Sequence, residues 1–286
     1  MKLYLLDFDE QTETAALTRY APGMATMRVL VRRPSLRLAE GLVTHIERRQ
    51  VDVDLALVQW ERYVATLRDA GWETIEVPEA PDCPDSVFVE DTVIAFKHLA
   101  VIARPGAIVR RAETLGAEPV VASLGYSIQR IQAPGTLDGG DVLKVGDTLY
   151  VGRSGRTNDE GIRQLRTIVE ACGGSVVAVS VTKALHLKSA VTALPDGTII
   201  GWQPVVDDPA SFPRFLAAPE ESGAHVVRLG GNRLLLAADC PRSAELYAGL
   251  GYTPVLVDIS EYQKLEGCVT CLSVRLRGDP KRAAAC

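Results

Sequence analysis

Two spacings of apolar residues alternate along the chain. Val29, Leu30 and Val31 within residues 27–32 predict a strand. Val53, Leu57, Trp60, Val64 and Leu67 then recur at helical spacing over 53–70, and Gly71 ends that run. A second strand is expected over 72–77, and the proline-rich stretch 78–84 reads as a loop.

From there short apolar strands pair around tight turns near Lys97-His98, Gly146-Asp147, Asp196-Gly197 and Gly230-Gly231-Asn232, which predicts four β-hairpins. The turns lie about 49, 50 and 34 residues apart. Helices are expected at 109–124, 158–172, 209–217 and 241–250, which with 53–70 makes five. The first strand, near residue 29, and the last, near residue 273, have no hairpin partner close in sequence. If they pair, the chain closes a ring of five units and leaves no sheet edge exposed. A repeat at a near-fixed period argues for an α/β, propeller-like array of five units with pseudo-five-fold repeats. The alternative is an ordinary α+β sheet with hairpins at similar intervals. In the ring, residues 27–277 form one domain, residues 1–26 an N-terminal extension and residues 278–286 a tail.

Composition narrows the class. Of 286 residues 47% are apolar and 23% charged, which is the balance of a globular chain. The net charge of −5 and the lack of a basic run argue against nucleic acid. No apolar run approaches the roughly 20 residues a membrane span needs. Asp7, Asp9 and Glu10 break the N-terminal run, so a signal peptide is not expected. Cysteines at 83, 172, 240, 268, 271 and 286 do not have the spacing of a secreted framework, so a cytoplasmic chain with reduced thiols is expected.

Candidate chemistry sits beside the predicted strands. Cys271 lies in Glu266-Gly267-Cys268-Val269-Thr270-Cys271-Leu272, at the mouth of the last strand, where a thiol can be partly exposed. His186 occupies a similar place, and Asp138 in Leu137-Asp138-Gly139-Gly140-Asp141 is its natural orienting partner. Glu90 and Asp91 stand inside an apolar run, 87–96, that reads as a strand. On a strand they would face opposite ways, and at least one must meet a cation, from the protein or from a ligand. Each residue also has a plain structural meaning. Cys271 can be a small buried hydrophobe, the acids a structural ion pair, and the Asp-Gly-Gly-Asp segment a simple turn. Cys268 and Cys271 together also spell a Cys-x-x-Cys, which keeps a thiol or metal-binding module as a rival.

Taken together, Val51–Val53, Asp85–Asp91, Arg104–Arg111, Thr136–Asp141, Arg156–Asn158, His186–Ser189 and Leu265–Val274 resemble the dimethylarginine dimethylaminohydrolase family of the guanidino-group modifying superfamily. The resemblance implies the five-bladed propeller and hydrolysis of Nω-methylated arginine to citrulline and a methylamine. It makes Cys271 the nucleophile, His186 the acid and base, and Asp138 its orienting group. Asp91 and Glu90 would hold the guanidinium, Asp85 the α-amino group, and Arg110 and Arg156 the α-carboxylate. Leu265 and Glu266 would also line the substrate site. A covering loop is expected near 37–49. No metal or organic cofactor is implied, the partner is a small molecule, and a homodimer is the expected assembly. A deiminase of free arginine is the nearest rival. The family often has a second cysteine after the nucleophile; here Leu272 stands there and Cys268 is an extra thiol.

Overall fold

The computed structural model describes residues 27–277. The segments 1–26 and 278–286 named above lie outside the described residues.

Among the described residues fifteen strands form five sheets of three. In chain order the first elements are β1 (Arg28–Val31), α1 (Val53–Asp69) and β2 (Glu73–Glu76). The second blade holds β3 (Val93–Phe96), β4 (Leu99–Ile102), α2 (Thr114–Ser123) and β5 (Ser127–Arg130). The third holds β6 (Val142–Val145), β7 (Thr148–Arg153), α3 (Asp159–Glu170) and β8 (Ser175–Ser180). The fourth follows a one-turn helix, α4 (Leu187–Ala190), and holds β9 (Val191–Ala193), β10 (Ile199–Gly201) and β11 (Phe215–Ala217). The fifth holds β12 (Val227–Gly230), β13 (Arg233–Ala237), α5 (Pro241–Gly249) and β14 (Thr253–Val257). The short α6 (Ser260–Gln263) and β15 (Val274–Leu276) complete the chain.

Every blade repeats one pattern: an antiparallel hairpin, then a third strand parallel to the middle one. A parallel return needs a crossover, which explains the helix between the second and third strand of most blades. The first blade is assembled from both ends of the described chain. β15 runs antiparallel to β1, with Val29 opposite Arg275, and β1 is parallel to β2. This is the ring closure that the unpartnered first and last strands required.

Local chemistry accounts for the elements. Asp52 caps α1 by accepting from Leu55 N–H, and Asn158 caps α3 through Gly161 N–H. Ala56, Trp60, Tyr63, Val64 and Leu67 form the buried stripe of α1. Two expectations fail. Residues 209–217 are not a helix: Pro209–Ser211 make a single 3-10 turn, and Phe215–Ala217 become the parallel strand beside β10. Pro213 supplies no N–H, and Asp208 closes the turn by accepting from Ala210 N–H. Residues 87–96 are not one strand either. Val89–Thr92 form a 3-10 turn before β3, so Glu90 and Asp91 leave the sheet and reach separate partners. Cys83, Cys240, Cys268 and Cys271 are free thiols, as expected, whereas Cys172 is disulfide-bonded. Among the described residues no helix is long and apolar enough to cross a membrane.

Candidate active site

The topology brings the candidate residues to one end of the ring. Asp85–Asp91 precede β3, Asp138 precedes β6, His186 precedes β9 and Cys271 precedes β15. Each stands before the innermost strand of a different blade, so residues 186 positions apart meet near one axis. Asp85, Asp91, Arg110, Arg156, His186, Leu265, Glu266 and Cys271 line a single cavity of about 20 Å³, together with Leu42, Phe88, Leu185 and Gly267. It adjoins a larger cavity of about 500 Å³, with which it shares Leu185, Glu266 and Gly267.

His186 is 2% exposed, and its Nε2 lies 3.0 Å from Asp138 Oδ2. Asp138 Oδ1 accepts from Gly106 N–H, which fixes the carboxylate. On the other side of the ring, His186 Nδ1 is 4.0 Å from Asp91 Oδ1. Burial alone would depress the imidazole pKa. Asp91, the Asp138 hydrogen bond and Asp141 outweigh it and raise the value to about 9. His186 is therefore an imidazolium at neutral pH. Asp91 is pinned by Gly140 N–H at 2.8 Å and by Arg110 Nη1 at 2.7 Å. Burial opposes its charge, but His186 and Arg110 hold its carboxyl down at about 2.

Cys271 is 8% exposed, and its Sγ lies 3.3 Å from Cys268 Sγ. The Cys268 sulfur, burial, and the carboxylates of Glu90 and Asp91 hold the Cys271 thiol well above its ordinary range. Cys268 is pushed the opposite way by the hydrogen bond from Cys271, by His225 and by Thr270.

The two arginines differ. Arg110 is fully engaged, donating to Glu113 and Asp91 and toward the carbonyls of Asp85 and Phe88. Arg156 Nη1 is buried with no hydrogen-bond partner, 3.8 Å from Asp138 Oδ2. Asp85 accepts from Leu42 N–H, and Glu266 accepts from the N–H groups of Thr44 and His45. The segment 41–45 is thereby drawn across the cavity by two of the residues that line it.

Glu90 stands apart from its expected place at the guanidinium. Its carboxylate receives Lys188 Nζ and Arg275 Nη2, each at 2.6 Å, and Thr270 Oγ1 at 2.9 Å. It lines a separate cavity bounded by the inner strands, not the one Cys271 lines.

Several contributors escape a reading of the sequence. Glu113 neutralises Arg110 from three residues away, and the i, i+3 spacing was the available signal. His225 precedes β12 as His186 precedes β9; its Nε2 meets Ser189 O, and it lines the larger cavity beside Cys268. Gly140 cannot carry a side chain, because a Cβ there would lie 2.5 Å from His186 Nδ1 and 2.7 Å from Asp91 Oδ1.

As to metals, Asp91, Asp138 and His186 bring ligand atoms within 4.8 Å of one another. Those atoms are already committed to Arg110, Gly140 N–H and each other. Among the described residues Cys268 and Cys271 belong to no group of three potential ligands.

A five-bladed β/α propeller with this cysteine, histidine and acids around its axis is a pentein-fold hydrolase. No family model matches the chain. It is 66% identical over 254 residues to the N(G),N(G)-dimethylarginine dimethylaminohydrolase of Streptomyces coelicolor, covering 89% of this chain and 98% of that one. It is 38% identical over 251 residues to the enzyme of that name from Pseudomonas aeruginosa, covering 86% and 98%. The chain belongs to the dimethylarginine dimethylaminohydrolase family. The solved P. aeruginosa structure, a cysteine-to-serine variant complexed with citrulline, superposes with a TM-score of 0.82 at 36% identity over 88% of this chain and all of that one. The N-terminal domain of ArgZ, an arginine dihydrolase, shares the fold at a TM-score of 0.79 and 17% identity, covering 87% of this chain and 98% of that one.

Proposed function

We propose that this protein hydrolyses Nω-methylated L-arginine to L-citrulline and a methylamine, with Cys271 as nucleophile, His186 as acid and base, and Asp138 orienting the imidazole. The observation that carries the assignment is the single cavity lined by Cys271, His186, Asp91, Asp85 and Arg156. It offers an anion for a guanidinium, an anion for an ammonium and an arginine with an unmet Nη1 donor for a carboxylate. Those are the three charged groups of an arginine.

Asp91 takes the guanidinium, which then lies beside Cys271. The incoming cation offsets the negative field that keeps the thiol protonated, so the thiolate forms with substrate bound and its proton passes to solvent. The sulfur attacks the guanidinium carbon. The methylamine departs with a proton from His186, leaving a covalent thiouronium. With Nε2 tied to Asp138, Nδ1 is the nitrogen left to exchange that proton. The neutral imidazole then removes a proton from water, whose oxygen attacks the same carbon and releases the thiolate and citrulline. Asp85 binds the α-amino group. Arg156, whose Nη1 lacks a partner, grips the α-carboxylate, with Arg110 behind it. Glu90 acts from the rear through Thr270 and the loop that carries Cys271. Leu265 and Glu266 form the wall.

A cavity of about 20 Å³ holds roughly one water, far less than an arginine. Substrate therefore enters by lifting residues 41–45, which releases Asp85 and Glu266 from backbone N–H groups.

Purified protein incubated with arginine, monomethylarginine, both dimethylarginines and agmatine tests the assignment. Citrulline from asymmetric dimethylarginine and monomethylarginine is expected. Turnover of free arginine with none of the methylated forms would replace it with the deiminase.

A further inference from the structure

The far end of the ring axis carries a second charged cavity, of about 120 Å³, lined by the inner strands β3, β6, β9, β12 and β15. Five cationic side chains line it, from Lys144, Lys188, Arg228, Arg275 and Arg277, against the single carboxylate of Glu90. Two of the five are spent. Lys188 and Arg275 both donate to Glu90 Oε1 at 2.6 Å, and Arg275 also donates to the carbonyls of Thr270 and Ser273. The other three retain donors. Lys144 gives one hydrogen bond, to Ala95 O at 2.8 Å, and Arg277 one, to Arg228 O at 3.2 Å. Among the described residues no ion pair involves Lys144, Arg228 or Arg277.

We propose that this cavity is a binding site for a multiply charged phosphate-type anion, held by Lys144, Arg228 and Arg277. Like charges gathered in a recess without counter-charge are costly, and an anion that accepts several hydrogen bonds at once relieves that cost. Arginine forks and a lysine point charge match the oxygens of a phosphoryl group. The recess is large enough for a phosphoryl group and is separated from the reactive cavity by Glu90 and Thr270. The repulsion is visible in Lys144, whose pKa is lowered to about 8 by burial and then by Arg277, Arg275, Lys188 and Arg228.

Calorimetric titration of the whole protein with pyrophosphate at pH 7, with sodium chloride holding ionic strength constant, tests the site. Saturable one-to-one binding is expected. Lys144→Gln and Arg228→Gln should each weaken it about 10-fold or more, the typical effect of losing a charge-assisted hydrogen bond. Methylarginine turnover should be unchanged in both. Without ligand, both variants should melt at or above the wild-type temperature, because a repulsive charge has been removed. Parallel titration with ADP separates a free anion from a phosphoryl group on a larger molecule, and binding of either supports the site. The proposal fails if neither ligand binds the wild-type protein saturably, or if both variants bind as the wild type does. Should one variant not fold, the melting shift of the wild type decides: equal stabilisation by pyrophosphate and by chloride of matched ionic strength overturns the site.

Discussion

Cys268 and Cys271 hold their sulfurs 3.3 Å apart, and the Cys268 sulfur pushes the Cys271 thiol up from its ordinary range. Cys268 thus competes with Cys271 for negative charge in the resting site. Replacing Cys268 by Ala removes one of the influences that hold the Cys271 thiol up. Alkylation of Cys271 by iodoacetamide in the substrate-free protein should become several-fold faster, as followed by intact mass. Citrulline formation should remain within a few-fold of wild type, whereas Cys271→Ser should abolish it. Loss of activity in Cys268→Ala with full activity in Cys271→Ser would reverse the assignment.

His186 sets an alkaline limit. Its charge is held by Asp91 and Asp138 up to about pH 9. Because the folded value lies above the unfolded one, near 6.5, the stabilisation from the imidazolium is complete below about pH 6.5 and is lost as pH rises through about 9. The melting temperature of the wild type should fall across that window more than that of His186→Ala. The kcat should decline above about pH 9 as the acid is lost, and His186→Ala should lower it by at least 10²-fold. A kcat flat from pH 7 to 10 would remove His186 from the proton path.

Arg156 is tested by the carboxylate it is assigned to bind. Arg156→Ala should raise KM for methylarginine about 10-fold to 100-fold, since a charged hydrogen bond is worth about 1.5–3 kcal/mol. KM for the decarboxylated analogue should barely change. Thermal stability should change little, because Nη1 has no hydrogen-bond partner and meets Asp138 only at 3.8 Å. Equal KM changes for both compounds would reject the clamp.

Gly140 tests the tightness of the histidine–aspartate contact. A methyl group at Gly140 would overlap both His186 Nδ1 and Asp91 Oδ1. Gly140→Ala should cost about 1–3 kcal/mol of stability, typical of overpacking, and most of the activity. Gly249→Ala, at the end of α5 with nothing within 4 Å of the new Cβ, should leave both unchanged. The comparison is a thermal melt beside a citrulline assay.

Closure of the ring was legible because β1 and β15 had no neighbours in sequence to pair with, and turn residues such as Gly146 and Gly197 marked the hairpins. The helix expected at 209–217 was not, because Pro209 and Pro213 interrupt a segment whose partner, β10, lies a connection away. Glu90 and Asp91 read as strand residues because apolar neighbours flank them. Their true environment depends on Lys188, Arg275 and Arg110, which only the fold brings near. The far cavity escaped for the same reason. Its five cations come from four blades, so no basic run betrays them. The pairing of Asp138 with His186, 48 residues apart, was anticipated from the need of a general base for an orienting acid, because spacing alone carries no signal for it.

Cys271 sits three residues before β15, the strand that locks the circle by pairing with β1, the first of the described strands. The reactive centre therefore cannot assemble on a nascent chain. Catalytic competence then arrives only when β15 has emerged and found β1, so a protein cut short before residue 271 would lack both its closing clasp and the thiol assigned its chemistry.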